Sequence, residues 1–580
     1  MINLIKKREY FLRGTQEESN IIFSDLNLES FLKDEKKPLV ERVRNIYKEL
    51  LRIAIEGKNQ ENSILVEKTL DYLHDNYYNF QAKEHTNWWQ WEIGYPLLLC
   101  DILCIFYDYF SKETILKYLN VTKYFQPDPI YSGNNPVALH PSGNPLRVST
   151  GGNRVDLCKI SFLRGMLLND SEECTHALNA LKEVWELKTE TEIISLNNRD
   201  GFYADGSFIQ HGFIPYAGTY GNVLLSGIGE ILYLLGDNED LKNSIEVDEI
   251  AQRILDSFEP FFFKGSISDI VCGRAITRPG DNHQRAHEVL NSILLISEGT
   301  SNNFKKRLQK IVKREFFLDK HYNHIENEMR IFYKNLYKSL LENEILEPTS
   351  YKTQNFIFNE MNRVFKRTEN FSIGLALHSN KIGNYESFNG ENEKGWFTGD
   401  GAIYIDDTGD SYINYWNGID FNFIPGTTEV KENMLGKNTS STMENMPQNT
   451  LAHAYVKDSK IYAEMDFINY SGELSSNKKY VIHPWGIEYI ESNIKSSKNF
   501  YSTIENKKLY NESSFKITRI NNQLIKVIID NREYSIYTEI PVNYKIYTKN
   551  SQKYIALWLE YLHDTKNLEI KYKIKIYNSF

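Results

Sequence analysis

In the stretch "DGSFIQHGFIPYAGTYGNVLL", residues 205–225, His211 and Tyr220 stand nine residues apart across Gly212, Pro215 and Gly218. Nine residues at about 100° each amount to about 900°, which puts the two side chains on opposite faces of a continuous helix. The glycines free the backbone to bend, and Pro215 withholds a ladder hydrogen bond, so the stretch reads as a broken loop between helices. Such a loop can aim an imidazole and a phenol at one point, which is what general acid–base chemistry requires. Either residue alone reads as structural, all the more in a chain with 38 tyrosines. Together, with Asn222 following, they form a more specific constellation.

Three further stretches carry groups of this kind. In "STGGNRVDLCKI", Gly151 and Gly152 precede Asn153. They suggest a turn opening a helix, where free backbone N–H groups and an amide can meet an anion. Taken alone, Asn153 reads as an ordinary helix cap. In "CGRAITRPG", Arg274 and Arg278 are four apart and so share a side in helix or strand. Paired guanidinium groups suit carboxylate or sulfate recognition, with a structural ion pair as the alternative. In "HTNWWQWEIGYP", Trp88, Trp89 and Trp91 span about 300° on a helix, so they do not all point inward. At least one is expected to face a cleft, where an indole can pack on a sugar face. The loop "NYESFNGENEKGWFTGDGAIY" adds Glu386, Glu391 and Glu393 without metal-ligand spacing, and neither metal nor cofactor is expected.

These groups need a scaffold, and the chain supplies two kinds. To about residue 345, apolar residues recur at three- and four-residue spacing, as in "LVERVRNIYKELLRIAIEG" and "VLLSGIGEILYLLG". After "EPTSYKT" the pattern turns alternating and β-branched, as in "GAIYIDD", "KIYAEMDFINY" and "EYSIYTEI", between Asn, Gly, Asp and Ser turns. A helical domain over 1–345 followed by an antiparallel β domain over 346–580 is expected, with the large-ligand cleft where they meet.

Composition narrows the partner. The net charge of −10 argues against nucleic acid, leaving a polyanion only through a locally basic cleft. No run of 18 apolar residues suggests a membrane span. The five cysteines lie mostly in apolar helical stretches without pairing or zinc spacing and read as buried free thiols. The start, "MINLIKKREYFLRGTQEES", has no apolar core of signal-peptide length, so the chain as written is expected in the cytoplasm.

In this order, "NWWQWEIG", "TGGNRVDL", "DGSFIQH" with "YGNVLL", "GRAITR", "NGENEKGWFTGDG" and "IPGTT" resemble polysaccharide lyase family 8, the hyaluronate, chondroitin AC and xanthan lyases. The resemblance implies an α+β multidomain chain, with an incomplete (α/α) toroid followed by an antiparallel β-sandwich. It implies β-elimination at a 4-linked uronic acid, leaving a C4–C5 double bond on the new non-reducing end. By motif, the catalytic group is Asn153, His211, Tyr220 and Arg274, with Glu391 holding Arg274 or Arg278. Arg278 falls at the second arginine and Trp88 and Trp89 at the aromatic patch. Trp91, Asn222 and Asn389 are added as substrate-binding positions.

Hyaluronan or chondroitin is the expected substrate, and a monomer is the family default. A xanthan-type lyase is the first alternative and a non-catalytic carbohydrate-binding protein the second. A glycoside hydrolase would need two opposed carboxylates, for which Asp205 and Glu391 are the candidates. The sequence departs from the family pattern in its short length after the last strand and in lacking an export leader. The family's further small β domain is therefore expected to be short or absent. Family members are typically secreted, so a removed leader would place this chain outside the cell.

Overall fold

The computed structural model describes residues 1–133, 147–189, 199–236, 245–563 and 568–577. Its first half is helical: α1 (Ile2–Arg13), α2 (Leu39–Glu56), α3 (Gln60–Asn76), α4 (Tyr95–Ile105), α5 (Lys112–Phe125), α6 (Gly151–Leu168), α7 (Ser171–Leu181), α8 (Tyr220–Leu235), α9 (Val247–Ser257), α10 (Asn282–Ser297), α11 (Asn302–Leu318) and α12 (Ile331–Glu342). Helix α2 shows why these segments coil. Val40, Val43, Ile46, Tyr47, Leu50, Ile53 and Ala54 line one face at three- and four-residue spacing, and all are buried. Helix α6 differs, since nearly every residue from Gly151 to Leu167 is buried; it runs through the centre of the domain against α7, α8 and α4.

Between α7 and α8 the broken stretch is not simply a loop. Strands β1 (Gly201–Phe202), β2 (Phe208–Gln210) and β3 (Ile214–Pro215) form a small antiparallel sheet. His211 lies in the turn joining β2 to β3, and Tyr220 is the first residue of α8. Two-residue strands β4 (Phe262–Phe263) and β5 (Ser266–Ile267) form a further hairpin.

The second half is antiparallel. Strands β6 (Gln354–Phe358), β7 (Arg363–Arg367), β8 (Ser372–Ala376) and β9 (Ala402–Asp406) form a four-stranded sheet in sequence order. A second four-stranded sheet runs Thr428–Val430, Phe500–Lys508, Gln552–Tyr561, Asn543–Lys549. An eight-stranded sheet runs Ala452–Lys457, Lys460–Ile468, Leu474–His483, Gly486–Ser496, Ile570–Ile576, Arg532–Tyr537, Leu524–Ile529, Lys516–Asn521. Side chains along Lys460–Ile468 alternate strictly between buried and half-buried, as a sheet with one packed face requires. On that face Tyr489 packs between Tyr480 and Tyr572, tilted against the first and stacked on the second, at centroid distances of 5.2 and 4.8 Å. Such cross-strand aromatic pairs fix register.

The two halves share packed surface. Phe261 meets Phe358 at 4.8 Å between ring centroids, Trp416 Nε1 donates to Asp269 at 2.7 Å, and Arg363 Nε donates to the Ile270 carbonyl at 2.8 Å. All five cysteines are buried and none is disulfide-bonded. Among the described residues no helix is long and apolar enough to cross a membrane.

Candidate functional site

The site begins at the N-terminus of α6. Thr150 occupies the cap position without a side-chain cap bond, so Asn153 is the third residue of the helix and not its cap. Gly151 has φ +50°, and Gln210 Oε1 occupies the space a Cβ would need. A Cβ on Gly152 would lie 2.9 Å from the Tyr220 carbonyl oxygen. Both glycines are therefore dictated by the close approach of the segment bearing His211 and Tyr220. The Asn153 side chain is half-buried and makes no hydrogen bond among the described residues.

His211 has φ +57° and Gly212 φ +78°, which turns the chain sharply after β2. The imidazole meets the Tyr220 ring at 4.6 Å between centroids, nearly edge to face. Its Nδ1 lies 2.5 Å from Glu386 Oε1, leaving Nε2 as the ring nitrogen for a ligand. Arg274 Nη2 donates to the Tyr220 hydroxyl at 3.3 Å, and its guanidinium carbon lies 5.7 Å from the Tyr220 ring centre. His211, Tyr220 and Arg274 thus converge, as the motif reading expects.

Electrostatics refine that expectation. Burial pushes the Tyr220 phenol above its ordinary value, and this outweighs the pull toward phenolate from the Arg274 charge and hydrogen bond. Arg274 itself is buried, which works against its charge, but Tyr216, Glu386 and Tyr220 more than compensate.

The β half supplies the counter-charges from the long loop between β8 and β9. Glu391 binds both arginines: Oε2 accepts from Arg274 Nε at 2.6 Å, and Oε1 from Arg278 Nε at 2.8 Å. Glu386, which the sequence brought into view without a role, is equally central. It accepts from Arg274 Nη1 at 2.5 Å and from the Tyr216 hydroxyl while pairing with His211. Burial pushes its carboxyl up, but His211, Arg274 and Tyr216 outweigh that and hold it down to about 2.

Tyr216 was missed. It is 1% exposed, and its ring lies 4.8 Å from that of Tyr220. Its hydroxyl accepts from Arg274 Nη1 at 3.2 Å, and burial raises it well above its ordinary value. Its spacing of four residues from Tyr220 was the available signal. The two tyrosines differ in reach: Tyr220 is half-buried, whereas Tyr216 is sealed beneath it.

The tryptophans separate. Trp88 and Trp89 are half-buried and pack beside Leu157 and Ile160 of α6, one and two turns beyond Asn153. Arg147 lies over the Trp88 ring and Arg44 over the Trp89 ring, each at 4.7 Å. Trp91 corrects the sequence reading. It is 4% exposed, packs against Tyr78, Tyr95 and Phe125, and donates Nε1 to the His85 carbonyl at 3.1 Å, so it is core.

Asn222 Oδ1 accepts from Ser292 on α10 at 3.0 Å. Asn389 is an exposed turn residue with φ +55° between Phe388 and Glu391. Asp205 accepts from the backbone N–H groups of Ser207 and Glu360, and Glu391 is taken up by two arginines. Both carboxylates considered for a hydrolase are therefore engaged within the protein. Among the described residues no His, Cys, Asp and Glu cluster has metal-holding geometry.

Residues 41–314 match the N-terminal α-helical domain of polysaccharide lyase family 8, and residues 353–532 its super-sandwich domain. The chain belongs to polysaccharide lyase family 8. Within the family, it is 29% identical over 496 residues to a hyaluronate lyase of Staphylococcus aureus, covering 80% of this chain and 60% of that one. It is 27% identical to a xanthan lyase of a Bacillus species, covering 67% and 40%. The chain thus spans from two fifths to three fifths of these relatives' lengths. The fold is similar to that of the Streptomyces coelicolor A3 chondroitin AC lyase, with a TM-score of 0.81 at 20% identity over 99% of this chain and 79% of that one.

Proposed function

We propose that this protein cleaves an acidic polysaccharide containing 4-linked uronic acid, hyaluronan or chondroitin in the first instance, by β-elimination to a 4,5-unsaturated product. The observation that carries the reading is the convergence of His211, Tyr220 and Arg274, with His211 Nδ1 turned to Glu386 and Nε2 left for the sugar. Membership of the lyase family, and relatives named as hyaluronate lyases, support it.

The C5 proton beside a uronate carboxylate is only weakly acidic, because its removal builds a second negative charge on the same group. Asn153 through its amide N–H, and His211 as an imidazolium with Nδ1–H on Glu386 and Nε2–H toward the sugar, donate to the carboxylate oxygens as that charge develops; one well-placed donor of this kind is worth on the order of 3 kcal/mol in the transition state. Tyr220 takes the C5 proton. Its ordinary pKa is about 10, and its burial raises it further, so the Arg274 charge at its hydroxyl is the element that makes phenolate accessible. The electron pair left at C5 forms the C4–C5 double bond as the C4–O bond breaks. Tyr220 then returns the proton to the departing oxygen, serving as base and then acid.

A xanthan-type substrate is the second reading, favoured by the similarity to the Bacillus xanthan lyase over 67% of the chain. Incubation with hyaluronan, unsulfated chondroitin, chondroitin sulfates and xanthan, followed by ultraviolet absorbance and reducing-end assay, tests both. Absorbance rising in step with new reducing ends on a glycosaminoglycan supports the first reading, and on xanthan the second. Reducing ends without absorbance mean hydrolysis. Binding with neither signal favours a carbohydrate-binding protein.

A further inference from the structure

Asp200 sits where the elements bearing Asn153 and His211 meet. It is 8% exposed. Its Oδ2 accepts from Thr150 Oγ1 at 2.6 Å and from Gln210 Nε2 at 2.7 Å, while Oδ1 accepts from the Gly212 N–H at 2.5 Å. Thr150 is the cap position of α6, three residues before Asn153. Gln210 and Gly212 flank His211, and Gln210 also receives the Gly152 N–H at 3.3 Å. One buried carboxylate therefore ties the start of the Asn153 helix to both sides of the histidine.

The histidine needs such a tie. Left-handed backbone is unfavourable for an L-residue and persists only where its surroundings over-determine it. His211 adopts it at φ +57°, followed by Gly212 at +78°. The backbone N–H groups of both residues turn toward Asp200. The Thr150 hydroxyl, the Gln210 amide N–H and the backbone N–H groups around the carboxylate are all donors, a demand that an acceptor-only side chain meets and an amide does not.

We propose that Asp200 is a positioning residue for the elimination: it holds His211 in its left-handed turn and in alignment with Asn153, so that both reach one substrate carboxylate. Its effect on rate rests on the lyase reading above, whereas its effect on His211 does not.

Two near-isosteric variants test this, Asp200→Asn and Thr150→Val, in the full chain. Asp200→Asn turns an amide donor toward existing donors; Thr150→Val removes one donor and leaves the carboxylate. On whichever of hyaluronan or chondroitin the wild type cleaves, Asp200→Asn is expected to lower kcat on the order of 100-fold, as small misplacements of catalytic groups do, with KM changed less than about threefold. In an Asn153→Ala background the same change should cost far less, because residues acting as a unit are not additive. The His211 ring resonances of the ligand-free protein should move in both variants. A folded Asp200→Asn with wild-type kcat, losses that simply add, or unmoved His211 resonances would overturn the proposal. If Asp200→Asn does not fold, Thr150→Val decides on the same readouts. If the wild type eliminates nothing, the lyase reading falls, and the His211 resonances alone decide the role of Asp200.

Discussion

Glu391 and Arg278 meet in a two-point contact across the junction of the two halves, Nε to Oε1 at 2.8 Å and Nη2 to Oε2 at 2.9 Å. Because Arg274 Nε shares Oε2, one carboxylate from the β half keeps two like charges side by side in the helical half. Glu391→Gln leaves those charges opposed. Arg274 is still held by Glu386, so kcat is expected to fall about tenfold while KM rises, as a loosened second arginine weakens ground-state binding. Steady-state kinetics check this; unchanged values of both parameters would mean that the contact is structural.

Glu386 gives the cleft an acid limit. Its ordinary value is 4.5 and its folded value about 2, so the stability it contributes is complete above about pH 4.5 and is lost as pH falls through 2. The contribution is on the order of 3 kcal/mol. Urea midpoints measured at several pH values across this window should fall in the wild type. In Glu386→Gln the fall should be markedly shallower, and an identical slope in the two proteins would contradict the assignment.

The tryptophans should divide by assay. Trp91→Ala empties a core position packed by Tyr78, Tyr95 and Phe125 and is expected to cost about 3–5 kcal/mol of stability. Trp88→Ala and Trp89→Ala remove half-buried rings beside α6 and should raise KM with a stability loss near 1 kcal/mol. Thermal melts and saturation kinetics separate the two effects. A melt for Trp88→Ala as depressed as that for Trp91→Ala would place Trp88 in the core instead.

Much of this was legible in the sequence because periodicity and glycine placement are local. The face of α2 follows from its spacing. The approach of α6 to the 210–220 segment is written in Gly151 and Gly152, although only the folded chain shows that they approach Gln210 and Tyr220. Spacing cannot rank three neighbouring indoles by exposure, and Trp91 alone lies in a π-helical turn over Gln90–Gly94, past Trp88 and Trp89, which is why it is core and not cleft. The stretch around His211 read as loop because β2 and β3 are too short to show alternation. Glu386 acquires its role through contacts with Arg274, Tyr216 and His211 that lie 112, 170 and 175 residues away in the chain, which no local pattern carries, whereas Tyr216 left only its four-residue spacing from Tyr220 as a trace.

Tyr220→Phe tests the central chemistry most directly. The substitution removes one oxygen from a half-buried ring and leaves Tyr216, Glu386 and Arg274 in place. Continuous ultraviolet absorbance on the substrate cleaved by the wild type should fall at least about 100-fold, the scale of lost acid–base catalysis, with substrate binding retained. Tyr216→Phe, which cannot meet the sugar from beneath Tyr220, should keep measurable activity. Wild-type elimination by Tyr220→Phe would contradict the assignment of Tyr220 as the base and acid.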